Sequence, residues 1–309
     1  MTAPALQGAR RGISPQAFFT LLLLACLFGG NHVAARFAFD HGTDVATAVA
    51  VRSLVTAAVV AALVLAAGLR VRPTPRQWRS LALIAALVAV QSVSLYSAVA
   101  RIPVALSLLA FNTYPLWGAF WAWAVYRHRP ERRVLLAMPV ILVGLSLALD
   151  VTGAASGLGA QAHWARMGLG VALALVGGAC FGLVLALTQH EVAMLDGRFR
   201  TMVVMGSVGV LAGVGALALG GPHWPQAQAG WWGLAGLTAL YGTAFTATFI
   251  VLPKLGAVGN SPILNVEPIF ALLMAWAWLG QAIAAVQIGG ALLVVGTVMA
   301  LGLRRRGPA

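Results

Sequence analysis

Asn112-Thr113-Tyr114-Pro115-Leu116-Trp117, followed by Trp123, returns 153 positions later as Asn265-Val266-Glu267-Pro268-Ile269-Phe270, followed by Trp276. The same offset of 153 lays Phe28-Gly29 on Phe181-Gly182, Trp78 on Trp231, Leu81-Ala82 on Leu234-Ala235 and Arg101 on Lys254. Alanine and leucine matches carry little weight in so apolar a chain, but Trp, Asn and Pro at one unchanged offset mark an internal duplication.

Around these anchors lie ten apolar runs, at 16–39, 45–68, 79–99, 104–125, 134–150, 168–189, 201–220, 231–252, 258–279 and 283–303. A bilayer-spanning helix uses roughly 20 apolar residues, so each run is long enough to cross, and each half of the duplication holds five. An odd number of crossings makes the second half enter the membrane from the opposite side. The predicted fold is therefore an all-α polytopic membrane protein of ten transmembrane helices in two inverted five-helix repeats. Its expected parts are a cytoplasmic segment 1–15, repeats at 16–150 and 168–303, an extracytoplasmic loop 151–167 and a basic cytoplasmic tail 304–309.

Composition agrees. Of 309 residues, 61% are hydrophobic and 9% charged, with a mean hydropathy of +0.90, whereas a soluble domain carries about 25% charge. No separate water-soluble domain fits in what the spans leave over. The net charge of +13 suggests a nucleic-acid partner only until its placement is read. With the N-terminus inside, Arg10, Arg11, Arg70, Arg72, Arg76, Arg79, Arg127, Arg129, Arg132, Arg133, Arg198, Arg200, Lys254 and Arg304 to Arg306 all face the cytoplasm, 16 of the 20 basic residues. The positive-inside rule then puts both termini in the cytoplasm. Arg10 and Arg11 before an apolar run also resemble the start of a secretory signal, but the run continues past a signal's usual length and reads as a permanent span. A single lysine against 19 arginines points through codon usage to a GC-rich bacterial genome and an inner-membrane location.

The chain resembles the drug/metabolite transporter superfamily, in particular its ten-span EamA-type branch. Phe28-Gly29-Gly30-Asn31, Arg101 and Asn265-Val266-Glu267-Pro268 carry the resemblance, which extends over roughly 16–303. Gly280-Gln281-Ala282 departs from the family's Gly-Glu-Arg, and Tyr114 stands where Glu267 stands in the second half. The resemblance implies a transporter of small organic solutes, amino acids or related metabolites among them, frequently exported.

Read directly, the polar residues of the spans outline a site. Glu267 lies nine residues into the ninth run, about 14 Å deep at a rise of 1.5 Å per residue, where a lone carboxylate is costly. It is either a neutral or paired packing residue, or a cavity residue that binds a substrate amine or carries a proton, with Arg52 as candidate ion partner. Pro115 and Pro268 are expected to kink spans four and nine, freeing the carbonyls of Phe111 and Leu264 for the amides of Asn112 and Asn265. They are either bending devices or hinges. Asn31, His32 and Arg36 share one arc of the first span, facing the bundle; Arg36 can snorkel or pair with Asp40 or Asp44, and His32 is a packing residue or a proton relay. Gln91 with Ser94, and Thr238, Tyr241, Phe245 and Thr248, form stripes that can line the same cavity. Tyr96, Tyr114, Trp117 and Tyr241 offer aromatic surface with polar tips to a ligand with an apolar body or an amine. Trp78, Trp231 and Trp232 read as interface residues, and the pairs Gly178/Gly182 and Gly209/Gly213 as close helix contacts.

No catalytic, metal-binding or cofactor motif is legible. Cys26 and Cys180 read as packing residues, no phosphate-binding Gly-x-x-x-x-Gly-Lys-Ser/Thr segment occurs, and His190-Glu191 lacks a second histidine four residues after the first. The expected partners are a small-molecule solute and the lipid bilayer, with protons as the candidate coupling ion and no nucleic acid. Two function classes remain: a secondary transporter alternating around a midplane cavity, and a passive membrane protein such as a channel, scramblase or packing partner.

Overall fold

A computed structural model describes residues 15–128, 132–154, 157, 159–254, 263–281 and 283–303. The N-terminal segment, the basic tail and the start of the ninth run at 258–262 lie outside the described residues. The described elements are helices: α1 (Pro15–Asp40), α2 (Val45–Ala66), α3 (Pro75–Arg101), α4 (Val104–Phe111), α5 (Tyr114–Tyr126), α6 (Arg132–Ala148), α7 (Ala160–Glu191), α8 (Gly197–Ala218), α9 (Gln228–Lys254), α10 (Glu267–Leu279) and α11 (Ala285–Leu303). Five of them, α1, α2, α3, α7 and α8, are individually long and apolar enough to cross a membrane. Large apolar side chains such as Leu65, Leu136, Leu169, Leu219 and Trp278 are exposed on their outward faces, a surface that water cannot cover without large cost and lipid can.

The helices start and stop where the chemistry of their ends predicts. Asp44 caps α2 by accepting from the Thr47 backbone and hydroxyl, Thr74 and Gln77 form a capping box on α3 ahead of Pro75, and Asp196 accepts from the amides of Arg198 and Phe199 at the start of α8. α7 begins at Ala160, so residues 160–167, expected in a loop, are helical. They are held by long-range bonds: buried His163 contacts the Leu149 carbonyl at 2.8 Å, and the Trp164 indole donates to Val151 O at 2.9 Å.

Helix pairing follows the duplication. α1 runs along α9 as α3 runs along α7, α2 pairs with α8, α6 pairs with α11, and α1 meets α10 as α7 meets α4 and α5. Exchanging the halves carries each pairing into itself or into another of the set. One contact shows this at atomic detail. A Cβ added to Gly29 would stand 3.0 Å from the Ala271 amide nitrogen, and one added to Gly182 would stand 2.6 Å from that of Gly118. Both members of the first contact are 153 positions from the corresponding members of the second. The bundle buries two apolar cores, one about α2, α3, α8 and α9 and one about α4, α6, α7 and α11. Of the expected close-packing glycines, Gly178, Gly182 and Gly209 lie against neighbouring helices, whereas Gly213 has no such neighbour within 4 Å.

Gly182→Ala should therefore destabilise the protein by roughly 1–3 kcal/mol through overpacking against α5, while Gly213→Ala should change it by less than about 0.5 kcal/mol; melting in detergent measures both. At the end of α2, burial alone would push the Asp44 carboxyl up, but bonds from Thr47, His223 and Ala46 hold it below its ordinary value. That contribution to stability is present above the unfolded carboxyl pKa of about 4 and disappears as pH falls through the lower folded value. Asp44→Asn should accordingly flatten the acid limb of a melting-temperature profile.

Candidate functional site

The α-helical bonding of the fourth apolar run is interrupted at Asn112-Thr113, and the repeat-equivalent place in the ninth, among the described residues, is a 3₁₀ turn. α4 stops at Phe111 and α5 starts at Tyr114, while a 3₁₀ turn over 263–266 hands over to α10 at Glu267. The expected kinks thus take the form of local interruptions of the α-helical bonding while the backbone stays helical, as at Asn112, Thr113 and Val266, with Pro115 and Pro268 in the first turn that follows. Proline is tolerated there because the first amides of a helix have no intrahelical acceptor. The Asn112 amide donates to Leu108 O at 2.9 Å, not to the Phe111 carbonyl, and the Thr113 hydroxyl donates to Ala110 O at 2.8 Å. The two interruptions are tied together: the Tyr114 hydroxyl donates to Asn265 Oδ1 at 2.7 Å.

Glu267 opens α10, where aligned backbone N–H groups favour a negative charge. Its Oε1 lies 3.2 Å from Nε2 of His32, a side chain only 8% exposed. Glu267 therefore pairs with His32, and Arg52 has other partners. The His32 ring lies 5.2 Å from the ring of Tyr96, whose hydroxyl donates to Asn31 Oδ1 at 2.5 Å. Tyr96 also meets Arg52, with the guanidinium carbon 4.7 Å from the ring centre. The same guanidinium sits 3.9 Å from the centre of the Tyr241 ring and donates through Nη2 to the Ser92 hydroxyl at 2.8 Å. Ser92 in turn approaches Gln91 at 3.4 Å, and the Tyr241 hydroxyl reaches the Met205 sulfur at 3.5 Å.

Asn31, His32, Tyr96, Gln91, Tyr241, Arg52 and Glu267 thus form one connected polar cluster, with Tyr96 as its hub. Tyr114 and Asn265 join the two interruptions beside it. Three expected residues stand apart from its contacts. Asn112 is turned back on α4, Trp117 packs at the α5–α7 contact, and Arg36 pairs with Asp40 at 2.8 Å and donates to the carbonyls of Val99 and Ile102 near the helix ends. The stripe on α9 divides: Tyr241 stacks on Phe245 inside the bundle at 5.0 Å, while the Thr238 hydroxyl bonds back to Leu234 O. Ser92 was missed, although its place four residues before Tyr96 puts both on one helix face.

Two clefts lie outside this cluster. One of about 770 Å³ runs between α2 and α9, lined by Val51, Thr56, Trp231, Thr238, Gly242 and Thr246 among others. A second of about 390 Å³ lies among α4, α10 and α11 and is lined by Leu106, Pro268, Trp276 and Gln287 among others. Neither is lined by His32, Glu267 or Arg52.

The pattern of EamA-like transporters matches residues 16–149 and again 168–303, once in each half. The chain belongs to the EamA-like transporter family. This EamA-like protein is accordingly a multi-pass membrane protein of a family that transports small solutes. A solved crystal structure shares its fold with a TM-score of 0.63 at 17% identity, over 94% of this chain and 99% of the other. No functionally curated protein matches it in sequence.

Tyr114→Phe removes the bond between the two interruptions and leaves the Asn265 carbonyl oxygen without that donor. Its expected cost is about 0.5–2 kcal/mol, read as a lowered melting temperature in detergent with membrane insertion unchanged.

Proposed function

We propose that this protein is a secondary transporter of small organic solutes, amino acids or related metabolites, that exports them by alternating access around a midplane cavity. In this reading ten spans cross the bacterial inner membrane as two inverted five-helix repeats, 16–150 and 168–303, with both termini cytoplasmic and 151–167 outside. The carrying observation is the pair of repeat-equivalent irregularities, the turn at Asn112-Thr113 and the 3₁₀ turn over 263–266, tied by the Tyr114–Asn265 hydrogen bond, with the Glu267–His32 pair at the start of α10. Discontinuous helices in corresponding positions of two repeats are where transporters of this architecture bind solute and coupling ion.

Glu267 and His32 take the proton or a substrate amine, because a carboxylate at the head of a helix can exchange its histidine partner for an ammonium or for H⁺. Asn31, Gln91, Tyr96 and Tyr241 contact the solute around them, and Asn112, Tyr114, Trp117 and Asn265 line its access along the interrupted helices. Pro115 and Pro268 act as hinges: each keeps its helix from closing across the interruption, so the two segments can rock separately. Arg36 holds the outer end of α1 through Asp40.

Counterflow in proteoliposomes tests the reading. A transporter gives saturable exchange, with uptake of labelled amino acid accelerated by the same solute inside, whereas a channel gives neither. Glu267→Gln should reduce exchange about tenfold or more, or remove its dependence on pH, while the protein still inserts; unchanged exchange with an unchanged pH profile contradicts the assignment of Glu267. Pro115→Ala and Pro268→Ala should slow turnover more than they weaken binding, which a comparison of exchange rate with half-saturating concentration measures.

A further inference from the structure

Each described acidic side chain has a partner other than Arg52. Asp40 holds Arg36, Glu191 holds Arg76, Asp196 holds Arg198 and Glu267 holds His32. Asp44 is taken by Thr47 and the His223 amide, and Asp150 lies 3.9 Å from His163. The remaining acidic residue of the chain, Glu131, belongs to the α5–α6 connection, outside the described residues. Arg52 itself is 1% exposed, and after the bond to Ser92 its Nε and Nη1 have no hydrogen-bond acceptor among the described residues. The faces of Tyr96 and Tyr241 stabilise the guanidinium but do not replace the oxygen acceptors it had in water.

The fold does not demand a cation there. The residue 153 positions on from Arg52 is Met205, on the helix that pairs with α2, equally buried and also against Tyr241. One half thus fills this place with a thioether and the other with a buried, forked, under-satisfied cation, the side chain best suited to a carboxylate.

We infer that Arg52 is the anion-binding group for the solute, resting on the transporter reading above: the carboxylate of a small organic acid or amino acid docks on the guanidinium, at Nε or at Nη1, when the cluster opens. Tyr96 touches both Arg52 and His32, so the carboxylate end of the solute lies at Arg52 and the other end of the site at His32 and Glu267. The solute class is carboxylate-bearing, and a simple amine fills only half of the site.

Thermal shift of the detergent-purified full chain in chloride-free buffer tests this with two probe series: L-leucine, 4-methylvalerate and isoamylamine, and L-phenylalanine, 3-phenylpropionate and phenethylamine, with chloride as a separate probe. The carboxylate-bearing probes of at least one series should stabilise the wild type. Arg52→Met, which copies the other half's residue, should remain monodisperse, and its response to those probes should weaken about tenfold or more in half-saturating concentration, with any response to the amine unchanged. Arg52→Lys keeps the charge without the fork and should fall between. The inference is overturned if no carboxylate probe stabilises the wild type, if Arg52→Met responds as the wild type does, if chloride matches the carboxylates, or if neither variant folds. Counterflow of labelled leucine and phenylalanine separates this from the transporter reading. Arg52-dependent binding without exchange removes transport and leaves the anion site; exchange that Arg52→Met does not alter removes the anion site and leaves transport.

Discussion

A helix whose bonding is interrupted inside a bilayer must find partners for its backbone within the protein, because hydrocarbon offers none. That constraint organises the molecule. The interruption at Asn112-Thr113 survives because it lies in the bundle interior, where side chains of the same segment reach backbone carbonyls, and the 3₁₀ turn over 263–266 lies beside it. Asn112 and Thr113 bond back to carbonyls of α4, and Asn265 accepts from Tyr114 across the interface. Proline in the first helical turn fits each interruption without leaving a missing donor. The tight backbone approaches at Gly29 and Gly182 then hold α1 against α10 and α7 against α5, so the two interruptions stay together.

On this nearly symmetric frame the chemistry is one-sided. Moving by the repeat offset turns Asn31 into Val184, His32 into Leu185, Arg52 into Met205, Ser92 into Phe245 and Tyr96 into Phe249. The polar residues on α1, α2 and α3 have apolar mates in the second half, and Glu267 has Tyr114 as its mate in the first. A duplicated scaffold can position a site and rock about it, but a single ligand is not symmetric, so recognition requires the halves to diverge where they touch it. The positions of divergence are the ones that meet at Tyr96.

Much of this was legible in the residues. The apolar runs overlap the described helices because hydrophobic length is a local property, and the repeat was visible because Trp, Asn and Pro are rare enough to align. Two features were not. Periodicity treats a proline as a kink in a continuing helix, and only the structure shows that the irregularity is a turn at Asn112-Thr113 and a 3₁₀ turn over 263–266. Depth along a span was also readable while direction around the bundle was not, which is why Glu267 was matched to Arg52 when His32, across the α1–α10 contact, is its partner. Residues 160–167 read as a loop for a related reason: the carbonyls that hold His163 and Trp164 in place are 13 and 14 positions away.

Everything turns on the two halves entering the membrane from opposite sides. With Cys26 and Cys180 replaced by alanine, single cysteines at Gly157 and Gly307 can be challenged in intact cells with a membrane-impermeant thiol reagent. The account predicts that Gly157→Cys is modified and that Gly307→Cys reacts only after the membrane is opened; modification of both, or of neither, in intact cells would contradict it.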